Sequence, residues 1–439
     1  MAEKNRIDVI SLGCSKNLID SERLLKRLQL KGYNTFHDAE HPKGEIVVVN
    51  TCGFISDAKE ESINLILSLA EKKKKKEIGK LIVMGCLSQR YSEELPQAIP
   101  EVDFWYGKFD WENLIEKLPD LRKNYKSPFS WERSLTTPPH SAYLKISEGC
   151  NRFCAFCAIP LITGHHKSRP IDEILEETRH LVSIGVKEFN IIAQDLSSYG
   201  KDLYGKQSLA ELIDKMSDVK GVEWIRLHYA YPSDFPYDVL DVMAKKANVC
   251  KYIDIALQHI SDAVLENMRR HISKHDTVEL LKKIRSKVPD IKIRTTLMVG
   301  FPGEGEQEFE ELIEFVKEQK FDRLGAFYYS EEEDTFAAKQ FKDLIPENIK
   351  KERLDRLMEI QQDIALELNE KMIGSTQKVL IDRQENGIAY GRTQYDSPEV
   401  DPEVIVADSS LKPGDFVTVK ITKAYPFELE GVIEKEQQS

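Results

Sequence analysis

With 439 residues, 41% of them hydrophobic and 31% charged, the chain has apolar material for several cores and reads as a multidomain globular protein. Its 62 basic and 74 acidic residues give a formal charge of -12, which excludes broad, non-specific binding to phosphate backbones, and no window approaches the roughly 18 uncharged apolar residues of a membrane span. Met1 to Arg6 leads into a strand-like run instead of a signal peptide, so the expected compartment is cytoplasmic, where seven cysteines point to metal or redox chemistry and not to disulfides.

Residues 1–125 alternate buried strands, at Ile7 to Leu12, Glu45 to Asn50, Lys80 to Met84 and Val102 to Trp105, with helical patterns such as Leu18 to Leu30 and Asp57 to Leu69. This is a doubly wound α/β pattern. Cys14, Cys52 and Cys86 each fall at or just past a strand end, so three thiolates could converge on the sheet edge where ligands bind, with Gly13, Gly53 and Gly85 allowing close approach. The other reading of the same positions is three small core residues. Lys72 to Lys76 reads as a solvated helix end. Residues 126–140, with Ser127-Pro128 and Thr136-Thr137-Pro138-Pro139, read as a linker.

A second series of strands runs through 141–373: Tyr143 to Ser147, Glu188 to Ala193, Glu223 to His228, Tyr252 to Ala256, Ile291 to Val299 and Arg323 to Tyr329. Six β/α units in series predict a partial (β/α)6 barrel whose reactive end is at the carboxyl ends of the strands. Straight after the first of them comes Cys150-Asn151-Arg152-Phe153-Cys154-Ala155-Phe156-Cys157. Three thiolates are one fewer than a cubane cluster has irons, leaving one iron open to a small molecule. Zinc, with His165 or His166 as a fourth ligand, is the competing reading, and the CxxxCxxC spacing favours iron-sulfur. Gln194, Asp195, Arg226, His228 and Arg294 could line a cofactor site or be satisfied polar groups at the barrel mouth. Gly300-Phe301-Pro302-Gly303 reads as a tight turn, since it lacks the Lys-Ser/Thr of a P-loop. Cys250, without partners, reads as core. A long amphipathic helix carries Leu354, Leu357, Ile364, Leu368 and Met372 on one face and stops near Gly374.

From 374 to 439 the period changes to two. Lys378 to Asp382, Ile388 to Arg392, Val404 to Ala407, Phe416 to Ile421 and Glu428 to Ile433 predict a small antiparallel β-barrel of OB type. Seven basic against twelve acidic residues there disfavour strong nucleic-acid binding, and Tyr390, Tyr395, Tyr425 and Phe427 are assigned mostly to the barrel core.

The Cys150 to Cys157 stretch resembles the signature of radical S-adenosylmethionine enzymes, and the resemblance implies an open iron that binds S-adenosylmethionine, reductive cleavage to a 5′-deoxyadenosyl radical, and Phe156 beside the adenine. Gln194 and Arg294 are the further candidates for contact with that cofactor. Gly13-Cys14-Ser15-Lys16-Asn17, Asn50-Thr51-Cys52-Gly53-Phe54 and Gly85-Cys86, with Gln258-His259, Gly300 to Glu304 and Tyr328 to Thr335, resemble the methylthiotransferases over essentially the whole chain, TRAM barrel included. Ser15 to Asn17 with Asp20 to Glu22, Tyr328 to Thr335 and Asp396 to Asp401 are more similar to the branch acting on a ribosomal protein aspartate than to the tRNA branch. That branch implies methylthiolation of the β-carbon of an aspartate in small-subunit ribosomal protein number twelve, free or in the subunit. It also implies two 4Fe-4S clusters, one held by Cys150, Cys154 and Cys157 and an auxiliary one by Cys14, Cys52 and Cys86. S-adenosylmethionine would be both methyl donor and radical source, and the electron donor would be of the flavodoxin or ferredoxin kind. The two clusters, the barrel mouth and the small barrel are expected to border one cavity. Glu333-Asp334 departs from the family pattern, where a small residue or glycine is expected. A tRNA adenosine methylthiotransferase and a non-enzymatic iron-sulfur protein are the alternatives.

Overall fold

The computed structural model describes residues 2–122 and 126–434; the expected boundary at 125 and the terminal 435–439 lie outside the described residues. Strands β1 (Glu3–Ser11), β2 (Asn34–His37), β3 (Gly44–Thr51), β4 (Lys80–Gly85) and β5 (Phe104–Trp105) form a parallel sheet in the order β2-β1-β3-β4-β5. Val47, Val48, Val49, Leu81, Ile82 and Val83 are all buried because helices cover both faces. Leu24, Leu25 and Leu28 of the helix Ser15–Lys31 lie in the core on one side, and Ile66 and Leu69 of the helix Ser56–Lys74 in the core on the other. Each such side chain contributes about 1.5–3 kcal/mol. The sequence reading lacks β2, since an edge strand half open to solvent needs no apolar run. Lys73 and Lys74 pair with Asp103 and Glu71, as a solvated helix end should.

Next come β6 (Ser141–Lys145), the two-residue strands β7 (Ser147–Glu148) and β8 (Lys167–Ser168), then β9 (Glu188–Ile192), β10 (Trp224–Ala230), β11 (Val249–Gln258), β12 (Lys292–Val299) and β13 (Arg323–Tyr328). The sheet β13-β12-β11-β10-β9-β6 is parallel throughout and open between β6 and β13. β7 and β8 pair with each other across the cysteine loop. The helix Glu347–Glu370 lays Leu357 and Ile364 on the barrel core, with Leu354 and Leu368 partly buried beside them. Met372, expected on the same face, lies past the helix end and joins the core of the small barrel.

That small barrel closes β14 (Thr376–Glu385), β15 (Ile388–Thr393), β16 (Glu403–Val406), β17 (Phe416–Ala424) and β18 (Glu428–Ile433) in the order β14-β15-β16-β18-β17. It is not wholly antiparallel, because β16 and β18 run parallel. Five strands cannot alternate direction around a closed ring, so one seam must be parallel. Tyr425 and Phe427 are a second correction: they sit 41% and 59% exposed at the β17–β18 turn instead of in the core.

The small barrel docks on the amino ends of the large barrel's strands, opposite the reactive end. Arg392 binds Glu188 and Asp382, Arg226 donates to Glu188 and to the Gln394 carbonyl, and Arg323 meets Asp396 at 2.7 Å. Only the Asp396–Asp401 segment reaches further in, where Asp401 lies 3.4 Å from Arg294. Residues 126–140 carry no helix or strand, yet they are packed. Arg133 is buried between Glu22 of the first domain and Glu177 of the barrel.

Candidate active site

The first trio lies where the sheet order reverses. Cys14 follows β1, Cys52 follows β3 and Cys86 follows β4, and parallel strands bring their carboxyl ends to one edge. Asn17 ties the three ends together: its amide donates to the carbonyls of Leu12 at 3.1 Å and Thr51 at 2.9 Å, and its Oδ1 stands 3.5 Å from the Cys86 Sγ. Asn50 extends the network to the Asn17 carbonyl and the Ser21 hydroxyl. Gly13, at φ +88, lets the Cys14 loop close on its neighbour, since a Cβ there would fall 2.9 Å from the Cys52 Sγ. Burial pushes the Cys86 thiol up to about 12 and raises Cys52, with Cys14 adding to both and Cys52 to Cys86.

The second trio occupies the loop after β6. The Cys150 amide donates to the Gly164 carbonyl and the Ala155 amide to the Met268 carbonyl, which fixes the loop against the barrel. Burial pushes Cys150 up to about 12 and raises Cys157 as well. Arg270 donates to the Cys154 Sγ at 3.2 Å, and the Tyr231 hydroxyl lies 3.6 Å from the same sulfur. His165 and His166 are engaged by Asn151 at 2.9 Å and Ser168 at 3.1 Å. Among the described residues no three His, Cys, Asp or Glu side chains converge to hold one metal ion. A cubane needs no such point, because each thiolate binds a different iron corner.

The two trios are neighbours: Cys86 packs with Ala158 and Ile162, directly past Cys157. Phe156 stands edge-on to Phe301 at 6.3 Å, beside the Gly300-Phe301-Pro302-Gly303 turn. Glu304 holds that turn by accepting from the Gly300 amide at 2.8 Å, from Arg353 at 2.7 Å and from His259 at 3.1 Å. Gln194 donates to Glu148, and its Oε1 is buried without a partner. Asp195 binds Arg152 at 2.7 Å. Arg294 is not brought to this group. It lies lower in the barrel beside Asp254 and Asp401, while Arg226 and His228 bind Glu188 and Asn190. Cys250 is packed with Trp224, Tyr252 and Leu380. Asp334 takes φ +63, the conformation for which the family pattern expects a glycine-like residue. Sequence reasoning missed Arg270 and Tyr231, which lie 116 and 77 residues from Cys154 with no local spacing to reveal them.

The Radical SAM superfamily matches residues 144–316, an uncharacterised family, UPF0004, matches 6–107, and the TRAM domain matches 373–433. The ribosomal protein uS12 methylthiotransferase RimO of Phocaeicola vulgatus is 60% identical over 97% of this chain and 99% of its own. The chain belongs to the RimO family of uS12 methylthiotransferases. Family members from Parabacteroides distasonis, at 56% identity, and Cytophaga hutchinsonii, at 49%, align over 98% and 99% of this chain and 99% of their own. The likeness extends to fold alone in the radical S-adenosylmethionine methyltransferase TsrM from Kitasatospora setae. That structure gives a TM-score of 0.56 at 12% identity, over 88% of this chain and 81% of that one. No helix among the described residues is long and apolar enough to cross a membrane.

Proposed function

We propose that this protein is a cytoplasmic enzyme that inserts a methylthio group at the β-carbon of an aspartate in ribosomal protein uS12. The observation that carries the reading is the packing of Cys86 against the segment that begins at Cys157. A carbon made reactive at one trio must meet its sulfur donor near the other before side reactions intervene. Cys150, Cys154 and Cys157 would hold one 4Fe-4S cluster and Cys14, Cys52 and Cys86 a second. Their donor chemistry fits, because the Cys52, Cys86, Cys150 and Cys157 thiols, which burial keeps protonated, become ligands once iron takes the proton's place. When bound, the clusters and S-adenosylmethionine supply the radical, the methyl group and the sulfur.

The chain's own residues position these groups. Asn17 fixes the geometry of the first trio, Arg270 offers positive charge to the second, and the Glu304 network fixes the turn beside Phe156. A flavodoxin-like or ferredoxin-like protein would deliver the electron. The acidic small barrel supports a basic ribosomal protein as partner over tRNA, whose phosphates it repels.

The test is a pair of triple Cys→Ala variants in the anaerobically reconstituted enzyme. Each should lose about half of its iron and sulfide. The Cys150, Cys154 and Cys157 variant should lose deoxyadenosine production. The Cys14, Cys52 and Cys86 variant should keep it but leave uS12 without the added methylthio mass. Modification of tRNA with none of uS12 by the intact enzyme would overturn the substrate.

A further inference from the structure

Lys16 follows Cys14 by two residues, in the first turn of the helix Ser15–Lys31, and its ammonium lies 3.7 Å from the centroid of the Tyr229 ring in β10. The lysine therefore reaches from the first domain to the large barrel, right beside the first trio. Tyr229 is built to receive it. It takes φ +65, outlying for an aromatic residue, where β10 and β11 shift register between Leu227 and Ala230. The shift leaves its ring 37% exposed although Ile225 to His228 are buried. Such outliers persist where the surroundings fix them, and they cluster at ligand clamps.

Lys16 also has no ion-pair partner, although the buried Asp254 feels its charge from further away. Among the described residues no carboxylate lies within ion-pairing distance of it, and its contact is the Tyr229 face. Other cations around the trios, and Arg294 lower in the barrel, are engaged. Arg294 lies between Asp254 and Asp401, Lys108 and Lys145 share Asp20, Arg152 binds Asp195, and Arg270 donates to Cys154. Beside Cys14 opens a cleft of about 100 Å³, lined by Gly13, Ser15, Tyr143, Asp38 and Glu399. Lys16 does not line this cleft, and its two acids, Asp38 and Glu399, disfavour a carboxylate inside it.

In an aspartate the carboxylate is one bond from the β-carbon. If sulfur reaches that carbon from the Cys14, Cys52 and Cys86 trio, the cation that recognises the carboxylate must stand next to the trio. We propose that Lys16, held on Tyr229, is the specificity-determining residue that pairs with the side-chain carboxylate of the substrate aspartate. This rests on the uS12 reading above. It deepens that reading by assigning the choice of aspartate over an uncharged side chain to one cation of the first domain.

The experiment uses the full-length reconstituted enzyme with native uS12 and with uS12 carrying asparagine at the modified position. Wild type should bind native uS12 more tightly, by roughly tenfold or more, the scale of a charge-assisted hydrogen bond. Lys16→Gln should bind both forms equally and as weakly as wild type binds the asparagine form. Lys16→Arg should restore part of the preference, and iron content checks that each variant is intact. An undiminished preference for aspartate in Lys16→Gln, with uS12 still modified, sinks the proposal alone. Failure of the wild-type enzyme to modify uS12 sinks the uS12 reading and the proposal with it.

Discussion

Asp254 is buried in β11 next to Arg294, and burial outweighs that arginine: its carboxyl is pushed up to about 6, with Asp401 adding to the rise. The folded state thus binds this proton more tightly than the unfolded chain, whose carboxyl titrates near 4. The stability linked to Asp254 is fully present below about pH 4 and is lost as pH rises through 6. Asp254→Asn, which keeps the shape and removes the charge, should therefore raise the thermal midpoint at pH 8, by the equivalent of about 3 kcal/mol at most, and leave it unchanged at pH 4. A variant that melts lower than wild type at pH 8 would show instead that the ion pair with Arg294 dominates. Asn17 makes a related point about single residues. Its place in the Gly13 to Asn17 motif was plain in the sequence, but its bonds to two strand ends and to Cys86 were not.

At the scale of elements, the segment 126–140 behaves unlike the linker its prolines suggest. Arg133 satisfies two buried carboxylates from elements far apart in sequence, Glu22 on the first helix and Glu177 on a barrel helix, and also donates to the Tyr143 carbonyl. Burial pushes Glu177 up, but Arg169 and Arg133 outweigh it and hold the carboxyl below its ordinary value. Removing one partner of such a group strands charge without solvent. Arg133→Met should cost about 3–5 kcal/mol, visible as a lower thermal midpoint, and Arg133→Lys, which keeps the charge without the fork, should lose less. A midpoint unchanged in Arg133→Met would mean that Thr136 and Arg169 suffice to hold the two carboxylates.

Over the whole molecule, the small barrel is fixed to the floor of the large one through Arg392, Arg226 and Glu188, all buried. Burial keeps these pairs from salt screening, so the joint should survive ionic strength that weakens surface pairs. The intact chain should melt in one transition in which both barrels take part. Arg392→Met leaves Glu188 with Arg226 as its one cation, beside the Ser141 hydroxyl, and should separate a lower-melting transition of the small barrel in calorimetry, destabilised by about 3–5 kcal/mol. The same docking explains why the segment Asp396–Asp401, and not the face of the small barrel, reaches towards the reaction region.

The sequence by itself determined the buried strands and the cysteines. Buried strands write their presence as β-branched runs, and CxxxCxxC needs only one loop to bring three thiols together. The edge strand β2, the parallel seam of the small barrel and the exposure of Tyr425 and Phe427 were not legible. Each depends on which neighbour a strand or turn finds, not on local pattern. The convergence of Cys14, Cys52 and Cys86 was only half written. Strand ends share an edge once the sheet order is known, but the order β2-β1-β3-β4-β5 is a property of the assembled sheet. What tertiary structure alone decided is the company these groups keep: Arg270 beside Cys154, Cys86 against Ala158 and Ile162, and Lys16 on the face of Tyr229. Such contacts join residues far apart in the chain through packing and charge, and no local spacing in a sequence encodes a distance across a fold.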